Sequence, residues 1–472
     1  MSEDTKRAAP ERTLGGLAAF SVVAGSMLGV GIFLFPGQIA LGVDSSTSFL
    51  LLWLVGGAMA LAGAVACGEL GAMLPRAGGD YVFQREAFGA SLAFASGWVL
   101  FAAVFCGSIA SLAVAVFQYQ VTALTGLALG EWTFLGLRGT QLLAGVLIVA
   151  VTALNAAGAK PSARLQTAAT MIPITGLTII AIAALLVSAP EARATATTDA
   201  VGAGLGGLTK GFLFVYFAYA GWPNVIYVAG EVRNPGVNVP RSMLCAVAAV
   251  TALYLLLCSS FLHVLGLGGL AALGREWTDA GTGLARALGS TSLEKAILVA
   301  IAIAIVTSIN ATILGGSRVA YAMAANRAFW SGAAALDRRG VPARALWLQC
   351  GLALVYVATG TFDAIIEMTS LAMLVTGGLT VASLFALRRS QPHTERPYRA
   401  AGYPFLPAFY LLFVAVVFAT KAVSATSSQE PAALLPFVGL VIFALAWGAH
   451  RARSGVKKSI PTTNADPRRN DS

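Results

Sequence analysis

The chain alternates long apolar stretches with short polar or basic segments from one end to the other. Most stretches hold about 20 residues or more, which is the length of helix that crosses roughly 30 Å of hydrocarbon. The pattern therefore predicts an all-α membrane protein. Its twelve predicted transmembrane helices lie at residues 15–40, 49–73, 88–120, 138–157, 164–188, 209–230, 240–266, 292–324, 345–359, 364–387, 404–424 and 431–449. The connections are short, so no soluble domain is predicted between the spans.

The composition fits this prediction and narrows the function. Of the 472 residues, 57% are hydrophobic and 11% are charged, whereas soluble domains have about 45–50% and about 25%. These figures exclude a disordered chain and argue against an ordinary cytosolic enzyme. The five cysteines all fall inside apolar stretches without a CxxC pair, which is typical of small buried side chains. No nucleophile or metal motif occurs. A formal GxGxxG match at 202–207 lies in a predicted external loop with no preceding strand, so the sequence predicts neither an enzyme nor a cofactor.

The basic residues are distributed according to topology. Counted alternately across twelve spans, 24 of the 31 Lys and Arg residues fall on one side and 7 on the other. This is a strong positive-inside bias, and it predicts a cell-membrane protein with both termini in the cytoplasm. The excess charge is thereby explained without nucleic acid, and the lipid bilayer is the expected partner. The basic tail at 450–472 is interpreted as a topology anchor with affinity for anionic lipid.

Two of the predicted helices carry interruptions near the middle of the membrane. The first span contains Gly25, Gly29 and Gly31, and the sixth contains Gly221 and Pro223. Each such residue disfavours a continuous helix, although Gly25 and Gly29 also form a GxxxG packing motif. Paired interruptions in two halves of a chain mark the binding site of inverted-repeat transporters. The pair predicts broken helices 1 and 6, with spans 1–5 and 6–10 as a 5+5 inverted repeat and two extra C-terminal helices.

This repeat divides the chain into five regions. They are a cytoplasmic N-terminal tail at 1–14, a first repeat at 15–188, a second repeat at 209–387, spans 11 and 12 at 404–449, and the C-terminal tail at 450–472.

Four short motifs resemble one family of transporters. The sequence GSMLGVGIF at 25–33 resembles a first-helix motif, and PRAGGDY at 75–81 resembles the loop that follows the second span. FAYAGW at 217–222, with the segment that continues to Arg241, resembles a sixth helix and its loop. RPYR at 396–399 resembles the segment before span eleven. In order and on this topology, the motifs resemble the amino acid permeases of the amino acid–polyamine–organocation superfamily, closest to the L-type amino acid exchanger-like branch.

The resemblance implies a leucine-transporter-type fold and a substrate pocket between spans 1, 3, 6, 8 and 10. The substrate carboxylate is expected at the start of the half-helix after Gly29, and its ammonium at carbonyl groups released between Phe217 and Ala220. The residues expected to bind substrate are Gly25, Ser26, Met27, Gly29, Val30, Gly31, Ala103, Ser108, Phe217, Ala218, Ala220, Gly221 and Thr312.

Three carboxylates are candidates for gating or proton coupling, because an ionisable group at membrane depth is a functional hypothesis by default. They are Glu69, Glu231 and Glu367. Simpler interpretations also remain open. Glu69 is expected to pair with Arg76 at the membrane interface, Glu231 to act as a structural lock or inner gate beside Arg233, and Glu367 to be a solvated or hydrogen-bonded helix start. Arg318, on the cytoplasmic half of span eight, could pair with any of the three.

The sequence departs from the family pattern in two places. Many relatives carry a lysine inside span five, whereas this span has none beyond Lys160, and Thr170 or Pro173 stands in its place. This absence weakens a lysine-based proton mechanism. Pro223 stands where relatives often carry a polar or acidic residue.

The pocket positions named above include no charged residue, and a buried unpaired charge is costly. The expected substrate is therefore a neutral L-amino acid. We expect a secondary active transporter that works by alternating access, with proton symport or amino acid exchange. A permease-like sensor and a transporter of a related small amine or polyamine are the alternatives. The oligomeric state, monomer or homodimer, is left open by the sequence.

Overall fold

The structure is a computed structural model that describes residues 12–187, 205–359, 362–427, 443–445 and 447–448. The helices are α1 (Gly16–Met27), α2 (Gly31–Ala40), α3 (Ser46–Met73), α4 (Asp80–Phe88), α5 (Ala90–Thr125), α6 (Gly139–Ala156), α7 (Ala159–Leu186), α8 (Leu205–Tyr219), α9 (Asn224–Tyr227), α10 (Pro235–Arg275), α11 (Ala280–Ala287), α12 (Thr291–Ala325), α13 (Ala343–Thr359), α14 (Phe362–Ser390) and α15 (Phe405–Ser427). A small antiparallel hairpin, β1 (Thr133–Phe134) and β2 (Leu137–Arg138), precedes α6.

The all-helical class predicted from the apolar pattern is confirmed. Within the described ranges, nine helical segments are long and apolar enough to cross a membrane, counting α1 and α2 together. α13 is a shorter apolar helix, and α8 with α9 occupies the position of the sixth predicted span. The predicted twelfth span at 431–449 lies almost entirely outside the described residues, as do the tail at 450–472 and most of the tail at 1–14.

The seventh span consists of two helices that meet at Gly266. This residue adopts a φ of 68° and a non-helical backbone, and the chain kinks there before a second helix continues to Arg275. Glycine tolerates this backbone because it has no Cβ. The predicted end of the seventh span, at residue 266, is the junction between the two helices.

The core lies where α1, α2, α3, α8, α10 and α12 meet. An aromatic cluster at its centre joins Trp53, Tyr219 and Tyr254, with ring centroids 5.0 Å apart for the two tyrosines. Small residues bring the helices close together, as membrane helices commonly require. A methyl group on Gly63 of α3, for example, would lie 2.7 Å from the ring of Trp222. The core therefore holds the interrupted sixth span tightly against α3.

The outer helices expose large apolar side chains. Ile172 and Ile179 on α7 are each 62% exposed, and Leu412 on α15 is 66% exposed. A contiguous apolar face of this kind is rare on a soluble protein and suits contact with hydrocarbon. The exposed faces identify α7 and α15 as lipid-facing helices around the buried core.

Candidate functional site

The first span is interrupted between Met27 and Gly31. The backbone turns at residues 28–30, where the N–H of Gly29 donates to the carbonyl of Met27 at 2.9 Å. α2 then begins, and its first turn has no preceding helical carbonyls to bond. Throughout the described chain, the N–H groups of Val30, Gly31 and Ile32 find no acceptor. The break thus presents free donors at the positive end of a ten-residue helix.

The sixth span is interrupted just after Tyr219. Gly221 adopts a φ of 107°, which an L side chain rarely accepts, and Pro223 has no N–H to continue the helix. The carbonyl groups of Tyr219 and Ala220 accept no hydrogen bond from any described residue. This break therefore presents free acceptors.

Direct contacts join the two breaks. The Oγ of Ser26 lies 2.9 Å from the carbonyl oxygens of Val23 and Gly221. Ser308 on α12 donates to the carbonyl of Ser26 at 2.9 Å. The hydroxyl of Tyr254 lies 2.5 Å from the carbonyl oxygen of Met27 and 3.0 Å from that of Ala218, so it serves both breaks at once. Side chains from α1, α10 and α12 thus satisfy part of the backbone that the breaks release, which membrane burial requires.

A cavity of about 80 Å³ borders both breaks. Eleven of the thirteen residues predicted to bind substrate line it, and they are Ser26, Met27, Gly29, Val30, Gly31, Ser108, Phe217, Ala218, Ala220, Gly221 and Thr312. The Oγ of Ser108 is buried and has no hydrogen-bond partner among the described residues, so it is available to a ligand.

Two predicted residues lie elsewhere. Gly25 faces span five, where a methyl group on it would meet the side chains of Gln166 and Thr170. Ala103 is buried, and its carbonyl accepts a hydrogen bond from Thr369 at 3.3 Å. Neither of them lines the cavity.

Span five presents amide and hydroxyl groups to the first span. Gln166 donates to the carbonyl of Ser21 at 3.1 Å and accepts from the amide of Asn310 at 2.7 Å. The Oγ1 of Thr170 lies 3.2 Å from the same carbonyl of Ser21. Of the two residues that the sequence left open, Thr170 is thus the one that hydrogen-bonds to the first span. Uncharged groups join spans 1, 5 and 8 at this point.

Glu69 does not pair with Arg76, as the sequence analysis expected. Its carboxylate is buried on α3 and binds Arg388 of α14 through two hydrogen bonds of 3.0 and 2.5 Å. The backbone N–H of Ala400 donates to it at 2.7 Å, and Arg396 lies 3.0 Å away. The partners lie more than 300 positions later in the chain, so local spacing could not identify them.

Glu231 pairs with Arg318, a partner that the sequence analysis left open, rather than with its neighbour Arg233. Arg318 on α12 donates to both carboxylate oxygens, at 2.8 and 3.3 Å, and both side chains are almost fully buried. The carbonyl of Glu231 also accepts from Leu14, which joins the start of the first span to this pair. Glu367 lies on α14, and its side chain is outside the described part of the structure.

The structure adds Asp80 to the cavity wall, where the sequence analysis expected no charged residue. Asp80 begins α4, and Gly79 before it adopts a φ of 47° that lets the loop approach Tyr227 closely. Tyr227 donates to Asp80 at 2.7 Å. The PRAGGDY motif drew attention to this loop, but nothing in it indicated that the loop reaches the cavity.

Burial sets the protonation of Asp80. It raises the pKa of this carboxyl from its ordinary value to about 6, against the opposing effect of hydrogen bonds from Tyr227 and Thr380. Among the described residues, no Lys or Arg nitrogen lies within 4.0 Å of it. The described side chains also include no group of three or more His, Cys, Asp or Glu that could hold a metal ion.

Comparison with known proteins identifies the family. Residues 14–444 match the sequence profile described as "Amino acid permease". The serine/threonine exchanger SteT of Bacillus subtilis is 26% identical over 441 residues, covering 92% of this chain and 96% of that protein. The b(0,+)-type amino acid transporter 1 of Homo sapiens is 24% identical over 408 residues, covering 84% of this chain and 80% of that protein.

A third relative is named for different substrates. The cystine/glutamate transporter of Homo sapiens is 26% identical over 411 residues, covering 84% of this chain and 78% of that protein. The resemblance inferred from the four motifs is thereby confirmed. The chain belongs to the amino acid permease family of the amino acid–polyamine–organocation superfamily, and it is a multi-pass membrane transporter of amino acids rather than an enzyme.

Proposed function

We propose that this chain is a secondary active transporter of neutral L-amino acids that works by alternating access, with amino acid exchange or proton symport. The observation that carries the proposal is the presence of free donors and free acceptors at one cavity. The N–H groups at the start of α2 and the carbonyl groups after α8 both lack partners in the described chain, and residues of both breaks line the cavity. A zwitterion supplies the complement to both sets.

The α-carboxylate of the substrate binds at the start of α2. Val30 and Gly31 line the cavity there, and the N-terminal end of a helix attracts an anion through its dipole and its free N–H groups. The α-ammonium binds the carbonyl groups released around Ala220, because each ammonium proton needs an acceptor in a buried site. Backbone therefore recognises the part that all amino acids share.

The substrate side chain extends toward Ser108 and Thr312. The free Oγ of Ser108 suits a substrate that offers a hydroxyl, and Phe217 contributes an apolar wall. Among the residues that the structure describes, no arginine or lysine lines the cavity, so an acidic side chain would be buried without a partner, at a high cost. Small neutral amino acids are therefore the substrates that suit this cavity best, and SteT, a relative, is named as a serine/threonine exchanger.

The proposed architecture has twelve spans, with spans 1–5 and 6–10 as inverted repeats and spans 11 and 12 added. The two interrupted helices occupy the first position of each repeat, which supports this arrangement. The proposed location is the cell membrane with both termini in the cytoplasm, on the basis of the 24-to-7 distribution of Lys and Arg.

Counterflow in proteoliposomes tests the function. Vesicles are loaded in turn with unlabelled alanine, serine, leucine, arginine or glutamate, and trace labelled serine is added outside. We expect the three neutral loads to drive accumulation of label well above that in empty vesicles, and arginine and glutamate to drive none. Uptake of arginine or putrescine without uptake of any neutral amino acid would overturn the proposal.

A further inference from the structure

We propose that Asp80 is the proton-binding group of this transporter and that the hydroxyl of Tyr227 positions it. The inference rests on the proposed function, since a coupled proton needs a transported substrate. In the binding step, an Asp80 carboxylate oxygen forms an O–H bond with a proton from a hydronium ion, and water is released. In the reverse step on the other side of the membrane, the proton returns to water. The carboxyl group alternates between neutral and charged forms and nothing else is consumed.

The position of Asp80 gives it access to both water and substrate. It lies at the start of α4 and is only 4% exposed at its surface, but it lines the same cavity as the two helix breaks. Thr376 and Gly377 on α14 line the cavity alongside it. A proton that enters the cavity with the substrate therefore reaches this carboxyl without crossing packed protein.

The absence of a cationic partner separates Asp80 from Glu69 and Glu231. Glu69 binds Arg388, and Glu231 binds Arg318 through both oxygens. In each pair a guanidinium balances the charge of the carboxylate. Asp80 has no such partner among the described residues.

Asp279 is a second buried carboxylate without a Lys or Arg nitrogen within 4.0 Å in the described structure. It accepts hydrogen bonds from Thr282 at the start of α11, and it does not line the cavity between the breaks. At this cavity, Asp80 is therefore the carboxyl group suited to change its charge.

The groups around Asp80 are polar but uncharged at neutral pH. Tyr227 on α9 and Thr380 on α14 hydrogen-bond to the carboxyl. Tyr216 on α8, Tyr410 on α15 and Cys67 on α3 are the titratable groups that lie near it on the remaining elements.

The charged side chains in this region do not compete for the proton. Arg318 on α12, which packs near this loop, is engaged by Glu231, and Arg85 and Glu86 lie further along α4 itself. With these neighbours the charged form is weakly stabilised, which agrees with the pKa of about 6. A group that titrates there exchanges protons at the pH values at which cells live.

The hydrogen bond to Tyr227 links the proton to movement of the sixth span. Tyr227 ends α9, the short helix that follows the break after Tyr219. Its ring also packs against Phe105 of α5 with centroids 5.0 Å apart. When alternating access shifts α9, the donor to Asp80 shifts with it, and the affinity of the carboxyl for a proton changes. This is the coupling that a symporter needs.

The test compares proton movement with substrate movement in the same vesicles. Proteoliposomes carry a pH-sensitive dye inside, and labelled serine is added with or without an inward proton gradient. For the unaltered chain we expect substrate-dependent acidification and gradient-driven accumulation into empty vesicles. For Asp80→Asn we expect the protons moved per labelled serine to fall at least about tenfold. Glu294→Gln, which removes a carboxylate from an exposed ion pair, is the matched control and retains the ratio.

The possible results are distinguishable. Counterflow without any proton movement in the unaltered chain overturns this inference and leaves the proposed function intact, whereas absence of counterflow overturns the proposed function. An unchanged ratio in Asp80→Asn overturns the inference as well. If Asp80→Asn fails to fold, the variant Tyr227→Phe tests the inference instead. It removes a hydrogen bond that favours the charged carboxyl, so half-maximal gradient-driven uptake moves to higher pH, and an unmoved profile overturns the inference.

Discussion

The Oγ of Ser26 lies 2.9 Å from the carbonyl oxygen of Gly221, although 195 positions separate the two residues. The contact places the two interrupted helices directly against each other. The hydroxyl of Ser26, at the first break, also donates a hydrogen bond to a backbone carbonyl of the second break, in a region where water is excluded. The two breaks are therefore one structural unit, and a change in either of them is expected to alter both.

Gly31 is the glycine at which this unit has least room. A methyl group there would lie 2.6 Å from both the Cα and the Cβ of Ala218. The backbone fixes the positions of these two atoms, so no side-chain rotation can relieve the contact. We expect Gly31→Ala to weaken serine binding through an overpacking cost of about 1–3 kcal/mol, or roughly 5- to 150-fold. Gly176→Ala on α7, where nothing lies within 4 Å, is the control. Counterflow at several serine concentrations measures both, and equal affinities would contradict the close approach.

Tyr254 is expected to stabilise the broken state of the first span. Tyr254→Phe keeps the ring in its aromatic cluster but removes the hydroxyl near the carbonyls of Met27 and Ala218. The carbonyl of Met27 keeps the N–H of Gly29 as a donor, but the carbonyl of Ala218 loses its donor among the described residues. An unsatisfied buried acceptor costs about 1–3 kcal/mol. We expect a lower thermal unfolding temperature in detergent and weaker serine binding. Tyr356→Phe, at a hydroxyl without a hydrogen bond in the described structure, leaves both unchanged. Equal loss in the two variants would argue against the proposed role.

The buried pair of Glu231 and Arg318 gives a prediction about charge. Removing one partner, as in Arg318→Met, leaves an uncompensated buried charge and is expected to cost about 3–5 kcal/mol of stability. The double variant Glu231→Leu with Arg318→Met removes both charges and is expected to be markedly more stable than either single variant. Unfolding of the three variants in detergent measures the difference. Additive losses would show that the two side chains act independently.

Ser108 is predicted to select for a hydroxyl on the substrate. Its free Oγ gains a hydrogen bond from serine but not from alanine, and a typical neutral hydrogen bond contributes about 0.5–1.5 kcal/mol. Ser108→Ala is therefore expected to weaken serine binding roughly 2- to 13-fold, with little effect on alanine. Competition of the two unlabelled amino acids against labelled serine gives the ratio. Equal weakening of serine and alanine binding would contradict a hydrogen bond between Ser108 and the substrate side chain.

Asp80 also predicts how stability depends on pH. In the folded chain its pKa is about 6, above the ordinary value of 3.8, so the folded state holds more protons than the unfolded state between these values. The free energy of unfolding contributed by this group is therefore present below about pH 3.8 and is lost as the pH rises through about 6. The variant Asp80→Asn has no titrating carboxyl at this position, so its free energy of unfolding does not fall with pH for this reason. We expect its stability relative to the unaltered chain to improve from about pH 4.5 to about pH 7.5, and a constant difference would contradict the raised pKa.

The sequence was sufficient to predict the long apolar helices that the structure describes and the two breaks, but not the short helices α4 and α11. Apolar length alone indicates a span, and Gly221 with Pro223 marks an interruption because of what those residues do to backbone geometry. The hairpin at Thr133–Arg138 was not predicted. Its two-residue strands are too short for a periodic pattern, and its turn relies on positive φ values at Leu135 and Gly136.

The partners of buried polar groups were beyond reach for a different reason. Glu69 meets Arg388 across 319 positions, and Tyr254 meets Met27 across 227. Such contacts depend on how the helices pack, and no local spacing encodes them. Asp80 shows the same limit, because a residue of a connecting loop lines the cavity only once α4 is packed against α14.

The hydroxyl of Tyr254 also has a consequence for how the protein is made. The ribosome completes the first span long before it reaches residue 254, which follows Met27 by 227 positions. Until the seventh span is inserted, the carbonyl of Met27 lacks one of its two donors, in a solvent that offers no substitute. We therefore expect the first span to enter the bilayer as a plain continuous helix. It opens at Met27 only after Tyr254 arrives, so that the binding cavity is a late product of biogenesis.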